Sequence, residues 1–318
     1  MTNYKANVRE SNFELFRITS MVAIIACHYV VHGGCFSLCT RYNFIVGQLF
    51  SLGGNIGVIC FCILAGYFLP IFHFSFKKAF ILIGEVCFYA WLWLLFAYIF
   101  HADTVNANLV TSIFPVFTGA YWFATAYIGA YILSPFLIKT CLQKSPEQPI
   151  NQNRVIITVL ILGFLLYVRP PYFILPVSAY YSDLFWFVFL FFVGTYLRMN
   201  PPQWFAKPNI CMLLFVCPLF IMWGLLILFH YLIISNPNIG QYTSYITGRT
   251  SILGLCSSLG LFGLFKNMQI RKSPIINYIN LTILHRLPSV SIYSMIPCLE
   301  TFFGIPYSRL KIITAQTL

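Results

Sequence analysis

Two ionisable residues inside one apolar run are the chain's clearest candidates for chemistry. Arg17 and His28 both fall in the run at 15–33, with ten residues between them. Eleven helical steps of about 100° return to within about 20° of the same face, roughly 16 Å along the axis. Ionisable groups are costly in a lipid-facing span, so each one marks a functional site by default. A neutral imidazole there can serve as a general base. An arginine lower on the same stripe can hold a phosphate or carboxylate through its planar fork. Glu14, three residues before Arg17, can pair with it across one helical turn. The set suggests an anionic cofactor entering beside Arg17 with its reactive end near His28. The plainer alternative is an arginine snorkelling to the interface and a histidine hydrogen-bonded to another helix.

Other candidates are spread along the chain. Glu85 is the one acid deep in a later apolar run, where it could orient His28, pair with a basic group or sit protonated. Lys77 and Lys78 follow the second run and could bind nucleotide phosphates, or simply belong to a basic loop. Tyr121 and Trp122 open another run, either as interfacial anchors or as a stacking platform for a sugar or a wall of an acyl channel. His32, one turn beyond His28, reads as the polar end of its run, and His230 as the outer end of another. His73 and His101 read as loop residues. Arg169 with Asp183, and Arg249, are expected in outer loops that could meet an acceptor. Most of the 11 cysteines lie within apolar runs, where they behave as small hydrophobes. No CxxC pair or Cys/His ligand spacing occurs, so no metal is expected. Cys35 and Cys39 share one loop and could pair if that loop is extracytoplasmic.

Composition determines what must carry these residues. The chain has 318 residues, 59% of them hydrophobic and 8% charged, which is too little charge to cover a soluble domain of this size. The 19% aromatic content also excludes a disordered chain. An all-α polytopic integral membrane protein is left, without room for a separate soluble catalytic domain. Apolar runs lie near 15–33, 44–69, 79–100, 121–138, 155–169, 184–197, 210–234 and 250–265, which predicts a bundle of eight transmembrane helices. Residues 109–120 are too short and turn-rich to span and suit a re-entrant or interfacial segment. The first run lacks a small-residue cleavage site and reads as a retained span.

The formal net charge of +12 is an orientation signal rather than a nucleic-acid surface. With a cytoplasmic N-terminus the inner segments hold thirteen basic residues: Lys5, Arg9, Arg17, Lys77, Lys78, Lys139, Lys144, Arg154, Arg198, Lys207, Lys266, Arg271 and Lys272. The outer loops then hold three, Arg41, Arg169 and Arg249. One missed or additional span would scramble that alternation.

Several segments resemble a known family in order along the chain. NFELFRITSMVAIIACHYVVHGG is similar to the first span of the membrane acyltransferase-3 family, whose Arg-x10-His motif falls on Arg17 and His28. GNIGVICFCILAGYF resembles the end of the family's second span, with Ala65 where a serine is usual, so no hydroxyl role carries over there. YWFATAYIGAYILSPFL, GTYLR and LFGLFKNMQIRKSPIINYI resemble later segments, and the likeness covers about residues 8–281. The resemblance implies about ten spans in a bacterial inner membrane. It also implies transfer of an acyl group, usually acetyl from acetyl-CoA, to a sugar hydroxyl of a capsule, exopolysaccharide or lipopolysaccharide, free or lipid-linked. On that reading His28 deprotonates the acceptor, while Arg17, Lys77 and Lys78 hold the phosphates of the CoA. Glu14, Glu85, Tyr121 and Trp122 support the site or bind substrate.

The likeness ends after about residue 281, so 1–281 reads as the acyltransferase-like domain and 282–318 as an atypical tail. His285 sits in no matching motif and receives no role. Codons for Ile292 to Pro297 and for Thr301 to Lys311 can be chosen so that an adjacent frame reads like a family C-terminus, which points to a frameshift or a truncation of the last spans. Two other functions remain open at this point: a transporter of glycan intermediates, and an inactive truncated acyltransferase.

Overall fold

The computed structural model describes residues 11–33, 41–71, 74–99, 113–119, 121–137, 157–158, 161, 179–235, 248 and 250–270. Their regular structure is helical, joined by turns and irregular residues, and no strand occurs among them. Seven α-helices follow in order: α1 (Ser11–His32), α2 (Arg41–Phe68), α3 (Phe76–Ile99), α4 (Trp122–Leu137), α5 (Ala179–Met199), α6 (Pro208–Ser235) and α7 (Ile252–Asn267). A 3-10 turn, Gln203–Ala206, precedes α6.

The eight spans read from hydropathy, of which the fifth and sixth runs are short, are not all present among the described residues. Stretches long and apolar enough to cross a membrane occur in α1, α2 and α6. The helices α4 and α7 have 16 residues each, a length of about 24 Å against a hydrocarbon core of about 30 Å. Apolar runs measure composition, whereas helix length also depends on where the backbone turns. The expected span at 155–169 lies largely outside the described residues, as do Cys35, Cys39, His73, His101, Arg169, Arg249 and the tail at 282–318.

The chain divides into two compact units, with the division inside α2 between Phe61 and Cys62. The first unit holds α1, the first part of α2, the 3-10 turn, α6 and α7. Its helices approach closely because glycines replace side chains at the crossings, the usual device where lipid supplies no hydrophobic drive between helices. A Cβ on Gly260 would strike the backbone of α6 at Cys211, Leu214 and Phe215. At one end of α1, Phe13 and Phe16 pack on Phe262 with ring centroids 5.8 and 5.3 Å apart. Asn12 donates from Nδ2 to the Phe265 carbonyl at 3.1 Å, tying the start of α1 to the end of α7. Buried hydroxyls are satisfied across and within helices: Ser257 donates to Phe215 O of α6 at 2.9 Å, and Ser258 lies 2.8 Å from Gly254 O of its own helix and 3.3 Å from Ile56 O of α2.

The second unit holds the rest of α2 with α3, α4 and α5. In it α2 and α5 meet backbone to backbone at Gly66 and Gly194, where a Cβ on either residue would overlap main-chain atoms of the other helix. Thr195 donates to the Gly66 carbonyl at 2.9 Å within this contact. One turn on, the Arg198 guanidinium sits 4.8 Å over the Tyr67 ring.

The α3 helix leaves Phe80, Phe88, Trp91, Leu95 and Tyr98 exposed. An apolar face of that extent suits lipid rather than water.

Candidate functional site

The α1 helix carries three of the candidate residues. It runs from Ser11 to His32 without an internal proline, and Glu14 in its first turn complements the helix dipole. Arg17 Nη1 lies 3.0 Å from Glu14 Oε2, the pairing expected from their spacing. The Glu14 side chain is 10% exposed and that of Arg17 34%, so the carboxylate is the buried partner and the guanidinium reaches outward. His28 is half-buried on the same helix, and its Nδ1 atom is sealed from solvent.

The register of α1 against α2 determines which way His28 faces. Cys27, its neighbour, abuts Gly54, where a Cβ would overlap the cysteine side chain. Cys27 Sγ also donates to the Ser51 carbonyl at 3.5 Å. Two turns away, a Cβ on Gly57 would meet the Ser20 carbonyl at 2.6 Å. The Ser20 hydroxyl itself donates back to Phe16 O at 2.9 Å. Gly54 and Gly57 therefore position the imidazole without touching it. In the sequence, the small-residue spacing of the GNIG stretch is the signal for this contact.

The remaining candidates lie in the second unit. Lys77 and Lys78 are exposed in the first turn of α3. Glu85 is half-buried two turns on, next to Val86. Val86 packs with Val116, Ala124 and Ile128, and Tyr121 lies against this cluster. The described part of the 109–120 segment, 113–119, is made of turns. Trp91 Nε1 donates to Ile113 O at 3.0 Å, Thr125 Oγ1 donates to Val116 O at 2.7 Å, and Gly119 takes φ 71°. That positive φ is open to glycine without a Cβ penalty. Trp122 begins α4, with its ring 6.1 Å from that of Phe187 on α5.

One expectation is corrected by this unit. Asp183 is not a loop residue: α5 begins at Ala179 and takes Asp183 inside it, 4% exposed. Hydropathy ends a span at its first charge, but Ala-Tyr-Tyr-Ser before Asp183 does not break helical hydrogen bonding. Trp186, one turn further along α5, escaped notice because a tryptophan in an apolar run looks ordinary. It is 3% exposed, and its indole Nε1 is buried without a hydrogen-bond partner.

Chemically, α1 offers a guanidinium paired with a carboxylate, with an imidazole on the same helix. No cluster of three or more metal-ligating side chains occurs among the described residues. The family model Acyl_transf_3, described as an acyltransferase domain, matches residues 10–284. No curated protein and no solved structure matches the chain.

Proposed function

The chain belongs to the Acyl_transf_3 family of acyltransferases, and from that premise we propose that it O-acetylates a cell-surface glycan. The donor is acetyl-CoA and the acceptor a sugar hydroxyl of a capsule, exopolysaccharide or lipopolysaccharide, free or lipid-linked. The protein sits in a bacterial inner membrane with its N-terminus in the cytoplasm, the orientation that places thirteen basic residues inside and three outside.

His28 accepts the proton of the acceptor hydroxyl as its oxygen attacks the thioester carbonyl. The carbon–sulfur bond then breaks, the ester forms, and CoA leaves as a thiolate that takes up the proton held by His28, returning the imidazole to its neutral form. Arg17, steadied by Glu14, holds a phosphate of the CoA through its planar fork. Lys77 and Lys78, exposed at the start of α3, add point charges for the nucleotide phosphates. The observation that carries the proposal is the common helix of Arg17 and His28, with the Glu14–Arg17 pair formed at 3.0 Å. Transport of glycan intermediates has no need for a base on the same helix as an anion clamp.

The deciding experiment compares glycan O-acetylation in a null strain carrying the wild type or His28→Ala. Restoration by wild type alone supports the proposal, with a loss of about 10²- to 10⁴-fold for the variant. Equal acetylation from both removes the role of His28. Failure of the wild type to restore acetylation defeats the glycan O-acetylation proposal and favours an inactive acyltransferase. Lost glycan export, with the remaining glycan normally acetylated, turns the reading to transport.

A further inference from the structure

The end of the first unit that holds Arg17 carries a second cation. Phe16, the residue before Arg17, packs on Phe265, the residue before Lys266, with ring centroids 5.2 Å apart. The first turn of α1 meets the last turn of α7, since Asn12 Nδ2 reaches the Phe265 carbonyl at 3.1 Å. The two helices therefore run in opposite directions from this contact. In an antiparallel pair, one further step of about 100° on each helix turns to the same side. Arg17 and Lys266 thus flank the Phe16–Phe265 contact on one side. Asn12 stands five residues before Arg17, so Lys266 lies roughly one turn further from His28 than Arg17 does.

Lys266 is held in place. Its Nζ sits 4.5 Å from the centroid of the Phe205 ring. Phe205 is buried, stacks on Phe262 at 5.7 Å, and accepts at its carbonyl from Asn267 Nδ2 at 2.8 Å. A ring face carries no net negative charge to neutralise an ammonium, which has three donors. The contact fixes where the charge sits. Lys266 is half-buried, and Met268 and Gln269 just beyond it are exposed. An anion meets this cation from water at the helix ends, without an enclosed cavity.

Three groups then follow in order: the imidazole of His28, the guanidinium of Arg17 about 16 Å away, and the ammonium of Lys266 beyond it. Coenzyme A carries its parts in the same order: a thioester, an uncharged pantetheine arm, a diphosphate, and a ribose bearing one further phosphate. We propose that Lys266 binds the ribose phosphate of the acyl-CoA donor, an inference that rests on the acetyl-CoA reading above. Arg17 then takes the diphosphate. A compact point charge suits a terminal phosphate, which needs no planar fork. Lys266 is a binding residue, and it selects CoA over thioester carriers that end before the ribose phosphate.

The test measures binding of CoA and of dephospho-CoA to the full chain in detergent by calorimetry. Wild type is expected to bind CoA about tenfold more tightly than dephospho-CoA. Lys266→Met keeps the stem against Phe205 and removes the charge. It should weaken CoA about tenfold and leave dephospho-CoA within twofold, erasing the preference. Lys266→Gln takes its place should the methionine variant fail to fold, and Lys266→Arg should retain most of the preference. Equal binding of both nucleotides by wild type overturns the proposal, and so does a preference that survives loss of the charge. Phosphatidylglycerol mixed into the micelles separates a lipid phosphate from the nucleotide's. If Lys266→Met loses only the Tm gain from that lipid and keeps the CoA preference, the site belongs to a headgroup and the proposal falls. Acetyl transfer to alkali-stripped surface polysaccharide is read separately. Transfer by wild type without a Lys266-dependent preference removes the site and leaves the acetylation reading standing. A Lys266-dependent preference without transfer keeps the site and removes the glycan-acetylation reading. Wild type that neither binds CoA nor transfers acetyl overturns both.

Discussion

The carboxylate of Glu14 lies 3.0 Å from the guanidinium of Arg17, and it is the more buried of the two. One side chain thus anchors the pair while the other remains presented. Arg17→Lys keeps the charge but loses the planar fork. Its KM for acetyl-CoA should rise about tenfold or more, the effect of losing one bidentate contact. Glu14→Gln should raise it less, about two- to fivefold, because the arginine loses its orientation and not its charge. Initial-rate measurements in isolated membranes check the order; a larger effect from Glu14→Gln would reverse the assigned roles.

Lys77 and Lys78 make a separable prediction, because both are exposed and act as point charges. Replacing both with Gln should raise the acetyl-CoA KM several-fold at low ionic strength. Above about 0.5 M salt the difference should largely vanish, because screening shortens the reach of exposed charge to a few ångströms. A salt-independent effect would mean that the lysines serve the fold instead. Steady-state kinetics across a salt series distinguishes the two.

Gly57 makes a test of how His28 is positioned. A side chain there would meet the Ser20 carbonyl at 2.6 Å, and a rigid backbone cannot give way as a side-chain tip can. Gly57→Leu should push α1 off α2, lowering stability by about 1–3 kcal/mol and reducing acetyl transfer with it. Gly57→Ala should lie between. Thermal unfolding in detergent alongside activity provides the check; full activity in a stably inserted leucine variant would show that α1 tolerates displacement.

Gly66 and Gly194 form the corresponding contact of α2 with α5, and Thr195 bonds the Gly66 carbonyl inside it. Thr195→Val keeps the shape and removes one interhelical hydrogen bond, for an expected cost of about 0.6 kcal/mol. Gly194→Val forces a side chain into main-chain atoms and should cost about 3 kcal/mol or abolish the folded state. Comparing their unfolding midpoints separates the contribution of close approach from that of the hydrogen bond. Equal losses would mean that the two helices can separate without penalty.

Much of this protein was legible in one dimension. Charge scarcity and apolar runs announce helices in a membrane, because lipid tolerates neither unpaired backbone nor casual charge. The Arg17 to His28 spacing places both on one helical stripe, and Glu14 within reach of Arg17, since helical geometry is local and periodic. Tertiary structure decided what periodicity does not encode. Glycines at 54, 57, 66 and 194 are unremarkable as letters; only the close crossing of two helices makes them obligatory. The same holds for Asp183 and Trp186. In sequence one reads as a loop charge and the other as ordinary apolar filling, whereas the extended start of α5 buries both on one face. Burial turns a tolerated polar atom into a costly one, and burial depends on neighbours distant along the chain.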